Sequence, residues 1–185
     1  MTPEFARPEF SRPEFSRRVS VDVIGMGGHK TGISADATER AALAKRFGWS
    51  AIDSLTANAN LLARAGGVDA LGTISATIER ACVASGDPVR ESVEEAFAIH
   101  FAREDEAAEV VPDEEIDLNE DDLDIVAFDG AAVDIGEAVA QTLALSVDPF
   151  PRSPGAEAQL RAAGVLAEGE VGSAAFAGLK GLLKG

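Results

Sequence analysis

One cysteine, one tryptophan and two histidines are all that the 185 residues hold of these side chains. A single thiol, Cys82, excludes an internal disulfide and, without further ligands, a structural zinc site. With only His29 and His100 beside it, the composition argues against a transition-metal centre too. Basic residues are scarce: 16 Lys and Arg stand against 32 Asp and Glu, a formal charge of −16. No apolar run approaches the roughly 18 residues a membrane-spanning helix needs. The start, MTPEFARPEF, lacks the apolar stretch of a secretory signal. What remains is 46% apolar, enough to close a core. These absences predict a non-membrane, cytoplasmic protein.

The negative charge is local. Twelve acidic residues and no basic one lie between Glu104 and Asp124, and without them the balance falls from −16 to −4. Like charges at that density repel and oppose compaction, so 104–124 reads as a solvated acidic loop. Its residues Asp113, Glu114, Glu115, Asp117, Glu120, Asp121, Asp122 and Asp124 are the candidate partner-binding group. A field of this sign repels phosphate backbones and attracts basic proteins. Asp117, Asn119 and Asp121 fit the first ligands of a calcium loop. Asp122 replaces its required glycine and Phe128 its final glutamate, so only weak cation association is expected.

A tandem repeat opens the chain: Pro3–Arg7 as PEFAR, then Pro8–Arg12 and Pro13–Arg17 as PEFSR. Its period matches neither helix nor strand, and each proline removes a donor. Residues 1–18 therefore read as a disordered tail. The alternative is a repeated ligand motif anchored by Phe5, Phe10 and Phe15.

Residues 19–155 read as one α+β domain. Val19–Ile24 alternates as a strand, and the turn from Gly25 to Lys30 lacks the glycine spacing of a phosphate-binding loop. An extended stretch follows near Thr31–Ala35. Asp36, with Glu39 three residues on and Gly48 beyond, predicts a capped helix over 37–47. From 50 to 103 the period is two, in three long strands separated by Gly66-Gly67 and Gly86-Asp87-Pro88. This predicts an antiparallel meander with one buried face, which carries Leu55, Leu61, Ile74, Ile78, Phe97 and Phe101. After a short strand at 125–128, Asp134 caps a second helix over 135–146, and the three prolines of 149–154 stop it. Residues 156–185 read as a linker and a C-terminal helix with the stripe Phe176, Leu179, Leu182 and Leu183.

Catalytic patterns are missing. His29 falls in a turn and His100 on the polar face of a strand, so neither is placed by spacing as a base for Cys82. The thiol shares a face with Ile74 and Ile78 and reads as a small buried apolar residue. A solvated acidic loop offers no desolvation to split carboxylate pKa values. No enzyme, cofactor, metal or small-molecule substrate is expected.

Two segments carry a family likeness: Ile78–Val83 leading through Asp87-Pro88-Val89 into the strand to Phe101, and Val133–Val139 continuing to Asp148-Pro149-Phe150-Pro151-Arg152. Their order, the acidic loop between them and the FxxLKGLLK-like end resemble the YceD family of bacterial large ribosomal RNA subunit accumulation proteins. The resemblance covers most of Glu14–Gly185 and implies a non-enzymatic factor for accumulation of large-subunit rRNA. Many relatives carry cysteine pairs, at the Cys82 position and after the helix, of a kind that could bind metal. Here Val83-Ala84-Ser85 follows Cys82 and the exit has no cysteine, so that role is not implied. The expected partner is a ribosomal protein or a large-subunit rRNA precursor. In one reading RNA is touched through Arg17, Arg18, Arg152, Lys180 and Lys184. In the other the chain is an acidic adaptor for a basic ribosomal protein, without RNA contact.

Overall fold

The computed structural model describes residues 13–25, 27–103 and 124–165. The acidic segment other than Asp124, the first two repeat copies and the C-terminal stripe lie outside the described residues, as do Lys180 and Lys184. The chain divides into two compact units, Met1–Glu79 with Arg90–Val147, and Arg80–Val89 with Asp148–Gly185.

The first unit is built on a five-stranded sheet in the order β2-β3-β4-β5-β6. Its strands are β2 (His29–Ser34), β3 (Ala51–Arg64), β4 (Gly67–Ala81), β5 (Pro88–Arg103) and β6 (Asp124–Phe128), the ends of β4 and β5 running into the second unit. The expected α+β fold is present, with the three long strands where the period of two placed them. Leu55, Leu61, Ile74, Ile78, Phe97 and Phe101 are all buried in the core. β2 pairs antiparallel with β3, and β3 with β4. β6 joins the edge parallel to β5, with Ile99 opposite Asp124 and Arg103 opposite Phe128. The sheet is therefore mixed rather than a pure meander. A parallel neighbour needs a crossover of a dozen or more residues, and 104–123 supplies the length.

Helix α2 (Ala37–Phe47) begins as its sequence dictates. The Asp36 carboxylate accepts from the Thr38 and Glu39 amides at 2.8 and 2.9 Å, and Glu39 accepts from the Asp36 amide at 2.8 Å. Gly48 ends it at φ +69°, a left-handed conformation that favours glycine. Helix α3 (Ile135–Ser146) starts from Asp134 and buries Ile135, Ala138, Val139 and Leu143.

Three expectations are corrected. The strand predicted over Val19–Ile24 is only β1 (Arg18–Ser20), after which Val21–Ile24 forms the single turn α1. Its partner β7 (Ala132–Asp134) is three residues long, so pairing runs out at Ser20. A helical turn then buries Ile24 while Val23 faces out. His29 is the first residue of β2, paired with Leu61, rather than part of a turn. The tail expected over 1–18 does not extend to its last copy: Phe15 is 0% exposed and belongs to the core cluster.

In the second unit, the segment expected to be linker after residue 155 begins with helix α4 (Ala156–Ala162). AEAQLRA consists of strong helix formers, with Glu157 and Arg161 paired at 2.9 Å one turn apart.

Candidate functional site

Strand direction fixes where the acidic segment is attached. It leaves β5 after Arg103 and re-enters at Asp124, which stands opposite Ile99. Of the eight proposed partner-binding carboxylates only Asp124 is described; it is exposed at the start of edge strand β6, beside the exposed Ile125. Asp113, Glu114, Glu115, Asp117, Glu120, Asp121 and Asp122 lie outside the described residues.

The five cationic candidates are not alike. Arg17 is held from two sides: its guanidinium donates to both Glu39 carboxylate oxygens at 2.6 and 2.8 Å and to the Ser34 carbonyl at 2.9 Å. It also stacks 4.6 Å from the Phe15 ring centre. The Glu39 contact raises the Arg17 pKa and holds the Glu39 carboxyl below its usual range. Arg18 points elsewhere, to Asp129 at 2.8 Å, in an ion pair more than half exposed on both sides. The Ala131 and Ala132 amides, then Arg18, keep the Asp129 carboxyl low. Arg152 is exposed in the second unit. Lys180 and Lys184 lie outside the described residues.

Further arginines of the first unit are answered by carboxylates. Arg46 bridges Glu137 at 2.7 Å and Glu14 at 3.0 Å, Arg64 meets Asp69 at 2.9 Å, and Arg90 meets Asp53 at 2.7 Å. His100 Nδ1 lies 2.7 Å from Asp69. Burial alone would raise the Asp69 carboxyl, but hydrogen bonds from His100 and Arg64 outweigh it and lower the pKa. A groove of about 1030 Å³ runs past Arg18, Arg46, Phe101, Phe128, Asp129 and Glu137. Its cations are already paired with the carboxylates named above, and neither histidine nor the cysteine lines it.

Cys82 is buried, at 3% exposure, but not among the apolar residues of the sheet face where alternation placed it. It sits past the end of β4 in the second unit, in a polar turn. Its amide donates to the Asp87 carbonyl at 2.8 Å, and its sulfur accepts from the Ser153 amide at 3.3 Å. Hydrogen bonds from Ser85 and then from Ser153 lower its pKa to about 6. The Val83 amide donates to the Pro151 carbonyl and Arg80 to the Asp148 carbonyl, tying the β4–β5 turn to the proline-rich exit. Neither histidine of the chain belongs to this unit, so the thiolate has no imidazole partner there. Among the described residues no group of three or more His, Cys, Asp or Glu is arranged to hold a metal ion.

Sequence reasoning missed the role of the third repeat copy. Glu14, Phe15, Ser16 and Arg17 each contact the folded unit. The only signal was a bulky Phe in every repeat, and it is identical in copies that lie outside the described residues.

No helix among the described residues is long and apolar enough to cross a membrane. No curated protein and no solved structure matches the chain. The family model described as "Large ribosomal RNA subunit accumulation protein YceD" matches residues 70–183, a span holding most of β4, all of β5 and β6, the acidic segment, α3 and the Cys82 turn. The chain belongs to the YceD family.

Proposed function

We propose that this protein is a cytoplasmic, non-enzymatic ribosome-assembly factor, and that it serves large-subunit rRNA accumulation by holding a basic ribosomal protein against its acidic segment. One observation carries the reading: twelve of the sixteen excess negative charges lie in 104–124, while Arg17, Arg18, Arg46, Arg64 and Arg90 of the first unit are matched by nearby carboxylates. Matched charges contribute little to long-range attraction; an unmatched acidic run speeds encounter with a cationic partner and loses strength as salt rises. Large-subunit rRNA, the stronger polyanion, then displaces the acidic segment from its partner.

The test is replacement of Asp113, Glu114, Glu115, Asp117, Glu120, Asp121, Asp122 and Asp124 by Asn or Gln in the full chain. Capture of ribosomal proteins from low-salt lysate falls at least tenfold, and large-subunit rRNA falls with it. Unchanged capture and unchanged rRNA refute the mechanism. A second reading, direct RNA contact, is supported by the exposed Arg18 and Arg152, with Lys180 and Lys184. An exposed pair such as Arg18–Asp129 is worth at most about 1 kcal/mol, so a phosphate readily replaces the carboxylate. Arg17, committed to Glu39, is the weakest of that group. Gel shift of large-subunit rRNA fragments that survives the acidic replacements favours RNA contact.

A further inference from the structure

Pro13–Arg17 lies in a fitted cradle, and each of its last four residues has its own partner. Glu14 accepts from Arg46 at 3.0 Å. Phe15 is fully buried. The Ser16 hydroxyl donates to Asp134 at 2.5 Å, and the Arg17 amide donates to the same carboxylate at 2.8 Å. The Arg17 side chain clasps Glu39, and its carbonyl accepts from the Ile135 amide at 3.1 Å. The backbone lies so close to α3 that a Cβ on Gly136 would come within 2.6 Å of the Phe15 carbonyl oxygen and 2.8 Å of the Arg17 nitrogen. This is recognition of a short peptide by main chain, one aromatic anchor and two charges.

The motif so recognised occurs once more in full and once with a single change. Pro8–Arg12 repeats all five residues, and Pro3–Arg7 differs only in Ala6, which lacks the hydroxyl that Ser16 gives to Asp134. A cradle that reads Pro-Glu-Phe-Ser-Arg has no contact by which to distinguish the second copy from the third. We propose that the cradle is a peptide-recognition site for this motif, and that Pro8–Arg12 of the same chain exchanges with Pro13–Arg17 in it. Docking the second copy leaves residues 13–17 as a loop between Arg12 and β1. Five residues reach out and back over such a gap, and a loop this short adds little closure entropy. The third copy is favoured because it needs no loop. The second is a spare anchor, tethered at high effective concentration. The exchange does not depend on the ribosomal reading of the acidic segment.

The test uses the full chain throughout. Phe5→Ala with Phe10→Ala leaves the thermal midpoint within about 1 °C of the parent, because the third copy stays docked. Phe15→Ala alone loses a few degrees, the upstream Phe10 taking its place. All three together lose roughly 10 °C or more, or prevent folding, as expected when a buried aromatic anchor goes unreplaced. Such non-additivity is the signature of exchange. Arg12→Glu supplies a second readout: silent in the parent, it lowers the midpoint of the Phe15→Ala protein by setting a carboxylate against Glu39. A single Phe15→Ala loss equal to the triple loss overturns the proposal, and so does a silent Arg12→Glu in that background. Rescue that grows with protein concentration, with dimers in sedimentation, overturns the intrachain assignment in favour of a second copy of the chain.

Discussion

Asp134 is the most heavily used carboxylate among the described residues, and Asp134→Ala measures what it holds. One oxygen accepts from the Gly136 and Glu137 amides at 3.1 and 3.3 Å, capping α3, and from the Arg17 amide at 2.8 Å. The other accepts from the Ser16 hydroxyl at 2.5 Å. Loss of an N-cap costs about 1 kcal/mol. Leaving the part-buried Arg17 amide without an acceptor adds about 1–3 kcal/mol, the lower end applying if water reaches it. The total is about 2–4 kcal/mol, a fall in melting temperature of roughly 8–16 °C for a unit of this size. Asp134→Asn keeps an oxygen for the cap but loses the charge, and should cost about 1 kcal/mol. Urea denaturation gives the energies, and amide exchange locates them: protection at Arg17 and Gly136 falls in the alanine variant while the α2 amides keep theirs. If Asp134→Ala lies within about 0.5 kcal/mol of the parent, the claim that this carboxylate ties the N-terminal segment to α3 is wrong.

Gly67→Ala is expected to destabilise by about 3 kcal/mol or more, because its Cβ would lie 1.9 Å from the Phe101 carbonyl oxygen. Gly27→Ala, with nothing near its Cβ, is the control within about 0.5 kcal/mol, and equal melting of the two would contradict the packing. Cys82 titrates near 6 when folded and near 8.5 when unfolded, so its contribution is fully present above the unfolded value and is lost as pH falls through about 6. Cys82→Ala should therefore flatten the rise of stability between those values, and parallel curves for the two proteins would remove the thiolate from the account. Glu39, held low by Arg17, contributes stability above its unfolded pKa that disappears as pH falls through its depressed folded value. Glu39→Gln should weaken the acid limb of a denaturation series below about pH 4.3, and an unchanged limb would show that the pair adds nothing.

Local signals carried most of the fold. The Asp36–Glu39 box and Gly48 bound α2 at the residues where it begins and ends, because caps act within a few positions of one another. The strands of 51–103 were legible because one face of each is buried, which imprints a period of two. What escaped was set by distant partners. Alternation in Val19–Ile24 resembles a strand, but strand length depends on β7, more than a hundred residues away. The direction of β6 leaves no trace in five residues. Phe15 could not be told from Phe5 or Phe10, since the repeats differ in position rather than chemistry. Among the site residues, the acidic run was legible as charge alone. Arg17 read as a free cation because its partner Glu39 sits on another element, and Cys82, buried as its sequence suggested, was given to the sheet face because alternation was extended one residue beyond the end of β4.

The direction of β6 bears on the acidic segment more than its charge alone does. A hairpin of two or three residues would make β6 antiparallel to β5 and reverse its register, taking Phe128 away from its place opposite Arg103 and out of the core cluster. Keeping Phe128 there requires a parallel strand, and a parallel strand requires a connection much longer than a turn. Such a connection contributes least to the core when its composition is charged, and 104–124 has twelve carboxylates among 21 residues. Its two ends are fixed by strand pairing at Arg103 and Asp124, so its charge can be neutralised by substitution without touching either the β5–β6 register or the arginine–carboxylate pairs of the first unit. Partner capture and thermal stability should therefore separate cleanly in the Asn/Gln-replaced protein. A large loss of stability on neutralising 113–122 would mean that the carboxylates serve the fold, and the surface reading would lose its basis.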